Sequence, residues 1–253
     1  MVLVTMEPGV MLLMAFAVVF AGVSKGGFGS GAAFASAAIL ALVMDPGAAL
    51  ALMLPLLMLI DLVTLPPFWR RWSWSETRVL VLGAVPGVAL GAILLNWANA
   101  DILRLLIGVI AMAFVVWQAA TRGGWIAPGK RGMPLWGGWL AGSVAGFTSF
   151  ISHAGGPVAA VYLLARGLGK TPYQATTVLV FGLINLLKIG PYAAMGLITA
   201  QTLTLSALLV PFALIGAWLG VKAHFLVSER AFFALTYVLL TITGARLIYM
   251  ALM

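Results

Sequence analysis

The chain has 253 residues, 63% of them apolar and 8% charged, with a net charge of +8 and a mean hydropathy of +1.13. Soluble domains carry about 25% charged and about 45–50% apolar residues, so an ordinary water-soluble fold is excluded. The basic excess sits in short stretches between apolar blocks with no basic, aromatic-interleaved stripe, which speaks against a nucleic-acid partner. No cysteine is present, which excludes disulfides, thiolate metal sites and a cysteine nucleophile.

The apolar blocks are continuous and near the ~20 residues that span a bilayer core, so helices are expected and not the period-two alternation of a transmembrane barrel. Ten helical segments are predicted, over 8–24, 31–44, 47–67, 79–97, 102–120, 134–151, 155–167, 172–196, 203–222 and 231–251. The leader MVLVTMEPG carries Glu7 and no basic residue, so the first segment reads as retained and not as a signal peptide. Segments two and seven are short, roughly 20 Å at 1.5 Å per residue, and each follows a glycine-rich break. Each is expected to form a re-entrant hairpin or a broken helix with the segment before it. The fold class expected is an all-α polytopic membrane protein.

Charge sets the expected topology. Arg70, Arg71 and Arg78 follow segment three; Arg122, Lys130 and Arg131 follow segment five; Arg166 and Lys170 follow segment seven; Lys222 and Arg230 follow segment nine. The alternate loops offer Asp45, NWANAD and GLITAQT. The positive-inside rule then puts the basic loops in the cytoplasm and both termini outside, with FWRRWSW at 68–74 as an interfacial anchor.

The two halves read as a repeat. Residues 29–61 align with 155–187 at a constant offset, and PGVALG at 86–91 matches PFALIG at 211–216. Each unit holds five segments, an odd number, so the second enters the membrane from the opposite side. Inverted repeats of this kind build transporters whose site lies at their interface. The expected units are 8–120 and 134–253, joined by a cytoplasmic linker at 121–133.

The first break, SKGGFGSGAAF at 24–34, holds Lys25, Gly26, Gly27, Gly29, Ser30 and Gly31. The second, within GFTSFISHAGGPVAAVYLL at 146–164, holds Thr148, Ser149, Ser152, His153, Gly155 and Gly156. Glycine permits close backbone approach, and a helix starting after such a break presents free N–H groups to an anion. With Lys25 added, the favoured cargo is negative. The competing reading makes Lys25 one more charge at the cytoplasmic end of segment one, and His153 a satisfied interior histidine.

Asp61 and Lys188 each stand inside a long apolar segment, where a charge costs roughly 2.5–3.5 kcal/mol on insertion scales and so points to function. The repeat places both near one position of their third segments, yet inversion argues against a direct bridge between them. Asn185, Thr176 and Thr177 share the segment of Lys188 and could line a polar path or bond neighbouring helices. Arg104 and Arg246 read as snorkelling, the methionines as packing residues, and Pro86, Pro191 and Pro211 as kinks. Ser149 and His153 lack a nearby carboxylate to complete a triad, the two histidines lack metal spacing, and there is no Walker motif; an enzyme, a metal site and a cofactor are not expected.

GGFGSG, SHAGGPVAAVYLL, the shared P-x-x-A starts (Pro46 to Ala49, Pro172 to Ala175) and KTPYQATTVLVFGLINLLKIGPYAAMGLI together resemble the sulfite exporter TauE/SafE family. The resemblance covers roughly 10–250 and implies a bacterial inner-membrane protein that moves small sulfur-containing anions such as sulfite, sulfoacetate or thiosulfate, usually outwards. Ser30 stands where the family often has a third glycine, and Leu and Met stand where a Thr often follows the first P-x-x-A. The site expected for the anion comprises Lys25, Gly26, Gly27, Gly29, Ser30, Gly31, Ser149, Ser152, His153, Gly155, Gly156, Thr177, Asn185 and Lys188, with Asp61 or His153 for proton coupling. An anion-selective channel and an importer are the alternatives. The oligomeric state is left open, a homodimer being one option.

Overall fold

A computed structural model describes residues 7–28, 32–123, 125, 132–226 and 229–253. Gly29, Ser30, Gly31, Lys130 and Arg131 lie outside the described residues, as do the side chains of Arg122 and Arg230. The described residues form ten α-helices: α1 (Pro8–Gly27), α2 (Phe34–Leu40), α3 (Pro46–Thr64), α4 (Trp74–Trp97), α5 (Ala100–Arg122), α6 (Leu135–Ser152), α7 (Gly156–Ala165), α8 (Lys170–Ala194), α9 (Ala200–Leu226) and α10 (Glu229–Leu252).

Seven of them (α1, α3, α4, α5, α8, α9 and α10) are long and apolar enough to cross a membrane. The chain is a polytopic helical membrane protein. Large apolar side chains such as Leu12, Leu62, Ile93 and Ile242 stand exposed along these helices, where lipid and not water would meet them.

The element ends follow local chemistry. Asp45 caps α3 by accepting from the Ala48 N–H at 2.9 Å, and Asn99 caps α5 from the Ile102 N–H at 2.8 Å. Helix α3 stops at Thr64, short of the expected residue 67, because Pro66 and Pro67 turn the chain into a single 3₁₀ turn. Helix α4 starts at Trp74, five residues earlier than expected. Helix α2 shrinks to 7 residues against the expected 31–44, roughly 10 Å of rise, so it cannot cross a bilayer. Pro86, Pro191 and Pro211 all lie inside continuous helices. Beyond α3, within the FWRRWSW run, the rings of Trp69, Trp72 and Trp74 form a chain of edge contacts at 5.4 and 5.7 Å.

Helices pair in a definite order: α1 with α9, α4 with α6, α5 with α10, and α3 with both α8 and α9. Glycine decides the two closest pairs. A Cβ on Gly22 would sit 2.6 Å from the Ala217 nitrogen, and one on Gly87 would sit 1.9 Å from the Ser143 oxygen. Backbones at this distance exclude any side chain, the small-residue packing that holds helices together in lipid.

At one end of the bundle a polar cluster ties α4 to α7. Glu76 is buried and accepts from the Tyr162 hydroxyl and from Arg166 Nε at 3.0 Å, while Arg166 also donates to the Met133 carbonyl at 3.1 Å. On the same side the Ser73 N–H donates to Thr176 Oγ1 at 3.0 Å. Sequence reasoning placed Arg166 in a loop and missed Glu76, whose partners are 86 and 90 positions away.

Candidate functional site

The charged side chains that the sequence leaves inside apolar segments meet in one place. Lys25 lies in the last turn of α1, which runs unbroken through Gly27 to a cap at Phe28. That is the helix-end position of the competing reading, but the side chain does not reach for water: it is only 2% exposed and turns inward. Its Nζ lies 2.6 Å from both carboxylate oxygens of Asp61, on α3. Oδ2 is aligned for the hydrogen bond and also accepts from Asn185 Nδ2 at 3.0 Å, whereas Oδ1 has no aligned donor. The Lys25 carbonyl in turn accepts from Gln174 Nε2 at 2.6 Å, which fixes the end of α1 against α8. Gln174 is buried and was not singled out from sequence; one amide in a basic, polar helix start carries no signal of its own.

Lys188, on α8, is fully buried and spends its ammonium on the second break. Its Nζ donates to the Ser149 carbonyl at 3.0 Å and Ser149 Oγ at 3.2 Å, and lies 2.7 Å from His153 Nδ1. The other ring nitrogen of His153, Nε2, lies 3.1 Å from the Leu50 carbonyl. A carbonyl only accepts, and an ammonium only donates, so the network assigns the proton to Nε2 and leaves Nδ1 as acceptor. His153 is therefore neutral here. Its backbone is left-handed, φ 56°, where it closes α6. For a non-glycine residue this costs roughly 1–2 kcal/mol, offset here by two anchored ring nitrogens.

Asp61 and Lys188 lie in the same centre yet do not bridge each other; each finds a different partner. The formal sum over Lys25, Asp61 and Lys188 is one positive charge, with His153 neutral. Four elements supply these groups: α1 and α3 from the first half of the chain, the α6–α7 break and α8 from the second. Residues of the two glycine-rich stretches also meet. Ala33 and His153 line one small cavity together with Lys25, Leu57, Ser149, Phe181 and Asn185, and its volume is about 10 Å³, room for no more than one water.

The remaining predicted site residues divide. Gly26 and Gly27 are helical and face α9, where a Cβ would lie 2.8 Å from the Ala217 oxygen and 2.6 Å from the Gly220 oxygen. Gly155 lies against the second break itself, with the Ala145 oxygen at 2.5 Å and Ser149 Cβ at 3.1 Å from its would-be Cβ. Gly156 opens α7, and the Pro157 that follows removes one of the free N–H donors expected there. Ser152 and Thr177 are buried and donate to carbonyls of their own helices, Thr148 at 3.0 Å and Gln174 at 2.8 Å. Thr176 belongs to the polar end of the bundle through Ser73.

A second, larger cleft of about 580 Å³ runs between α5, α6 and α7. It extends from Trp117, Met133 and Trp136 at one end to Phe34, Thr148 and Ala154 beside the breaks. Nearly all of its lining is apolar.

The model of the sulfite exporter TauE/SafE family matches residues 14–247, which include every element of this centre. The chain belongs to that family. No curated protein and no solved structure matches it significantly.

Proposed function

We propose that the protein is a secondary transporter that exports a small organosulfur anion, such as sulfite or sulfoacetate, across the bacterial inner membrane by alternating access. The single observation that carries this reading is the buried Lys25–Asp61–Asn185 and Lys188–Ser149–His153 cluster between the halves of the chain. A sulfite or sulfonate group spreads its charge over oxygens that an ammonium, a hydroxyl and an amide can serve together. Lys188, Lys25, Ser149 and Asn185 are the side chains assigned to that task.

Alternating access is supported by the helix pairings. If residues 8–120 and 134–253 are inverted copies, α1 corresponds to α6 and α4 to α9, so the α1–α9 and α4–α6 pairs exchange, as do α3–α9 and α4–α8. Other pairings have no such counterpart, among them α5–α6, α3–α5 and α2–α10. Helix α2 packs against α10, while their counterparts α7 and α5 face each other across the 580 Å³ cleft. A closed half and an open half, related by pseudo-symmetry, are what a transporter caught on one side of its cycle presents. With the positive-inside orientation, both termini lie outside and the Trp117–Met133–Trp136 end of the cleft lies on the cytoplasmic side. The linker at 121–133 is then cytoplasmic.

Uptake and counterflow of labelled sulfite and sulfoacetate into proteoliposomes test the reading. A transporter shows saturable flux that rises when unlabelled anion is loaded on the far side. Flux with no such stimulation identifies the channel alternative, and no flux of any sulfur anion refutes both.

A further inference from the structure

We propose that Asp61 is the resident counter-anion of this site: a substrate anion reaches Lys25 by displacing the Asp61 carboxylate, which takes up one proton as it leaves, so anion and proton travel together. This rests on the reading of the protein as an anion transporter and adds the identity and role of its proton carrier.

Geometry leads to it in three steps. The Lys25 ammonium meets both Asp61 oxygens at 2.6 Å, so the face that an incoming anion needs is already covered. The cavity beside it, about 10 Å³, is smaller than a pyramidal sulfite or sulfonate head of four heavy atoms. The carboxylate therefore has to move before the anion can seat. Once displaced it retains only the Asn185 amide, and a buried carboxylate without a cation neutralises itself by binding a proton.

The charge balance fits. Before binding, Lys25 and Lys188 count two positive charges and Asp61 one negative. After a monoanion binds and Asp61 becomes the neutral acid, the centre again carries one positive charge. The reaction is anion plus one proton, with no other co-reactant.

The other candidate, His153, does not fit the part. Protonating its Nδ1 would aim an N–H at the Lys188 ammonium 2.7 Å away. The groups facing Asp61 from neighbouring elements are few. Helix α1 supplies Lys25, α8 supplies Asn185 and the more distant Lys188, and the α6–α7 break supplies the neutral His153. On α9, Lys222 lies over the Trp218 ring at 3.7 Å, and His224 Nδ1 lies 2.8 Å from the Gly27 carbonyl. Helix α2 carries no ionisable side chain, and on α5 Asp101 pairs with Arg104 at 2.7 Å.

The test is proton uptake by the purified full-length protein in weakly buffered detergent, with methanesulfonate and isethionate as probes because each is a monoanion whose charge is constant near neutral pH. The expected result is about one proton taken up per anion bound, and a dissociation constant that rises about tenfold per pH unit above neutrality. Asp61→Asn is expected to bind without uptake and with a pH-independent affinity. Binding by the wild type with no uptake and no pH slope overturns the proposal while leaving the transporter reading intact, as does undiminished uptake by Asp61→Asn. If Asp61→Asn fails to fold, the wild-type proton count and pH slope decide alone. If the wild type binds neither probe, nor sulfite, the transporter reading itself falls and this inference falls with it.

Discussion

Replacing Lys25 by Met, with Asp61 left in place, separates a buried ion pair from a snorkelling charge. Both side chains are shielded, at 2% and 6% exposure, and the ammonium lies 2.6 Å from both carboxylate oxygens. Removing one member of such a pair leaves the other uncompensated and costs about 3–5 kcal/mol. Asp61→Asn alone strands the ammonium and costs a similar amount. The double variant Lys25→Met/Asp61→Asn removes both charges and keeps an amide beside Asn185, so most of the loss returns. The double-mutant cycle is expected to give a coupling energy of at least about 2 kcal/mol. The assay is reversible unfolding of the purified protein, followed by helix content in mixed detergent. Two single losses that simply add, with coupling below about 0.5 kcal/mol, would mean that Lys25 reaches interfacial water and that the centre is not organised as described.

Three further outcomes follow from packing. Gly87→Ala places a methyl 1.9 Å from the Ser143 oxygen and is expected to cost at least about 1–3 kcal/mol in thermal unfolding. Glu76→Ala strands the Tyr162 hydroxyl in the protein and should cost about 1–3 kcal/mol in the same assay, with a smaller loss for Arg166→Ala, whose side chain is 30% exposed. Ala113→Cys with Val161→Cys places two thiols on opposite walls of the α5–α7 cleft in a chain that has no other cysteine. A thiol cross-linker joining them should abolish transport, and reduction should restore it; unchanged transport in the cross-linked protein would remove the cleft from the cycle.

Much of the architecture is legible in the sequence because lipid imposes it. Apolar blocks of spanning length leave helix as the only solution, and all ten segments appear, most with ends within a few residues of those expected. The misses have local causes. Helix α2 is shorter than its apolar run because composition alone does not show where a buried backbone stops being helical. Helix α4 begins early because WSET reads as polar loop until Glu76 is seen to have a tyrosine and an arginine waiting across the bundle.

Of the site, the residues were legible and their pairing was not. Lys25, Asp61, His153, Asn185 and Lys188 stand out because each is polar where the chain is otherwise apolar. Which carboxylate answers which cation depends on where α1 ends against α8, a contact made by Gln174 over 149 positions of sequence. The glycines carried two messages at once. Gly155 serves the break beside Ser149, whereas Gly26 and Gly27 let α1 approach α9, and sequence spacing does not separate the two uses.

The most direct measurement is calorimetric binding of sulfite, sulfoacetate, thiosulfate and taurine to the purified protein and to Lys188→Ala. At least one sulfur anion should bind the wild type, and Lys188→Ala should weaken it by about tenfold or more, the loss of a buried charge-assisted contact of about 1.5–3 kcal/mol. Equal binding by both proteins, or binding by neither, would contradict an anion site built around Lys188.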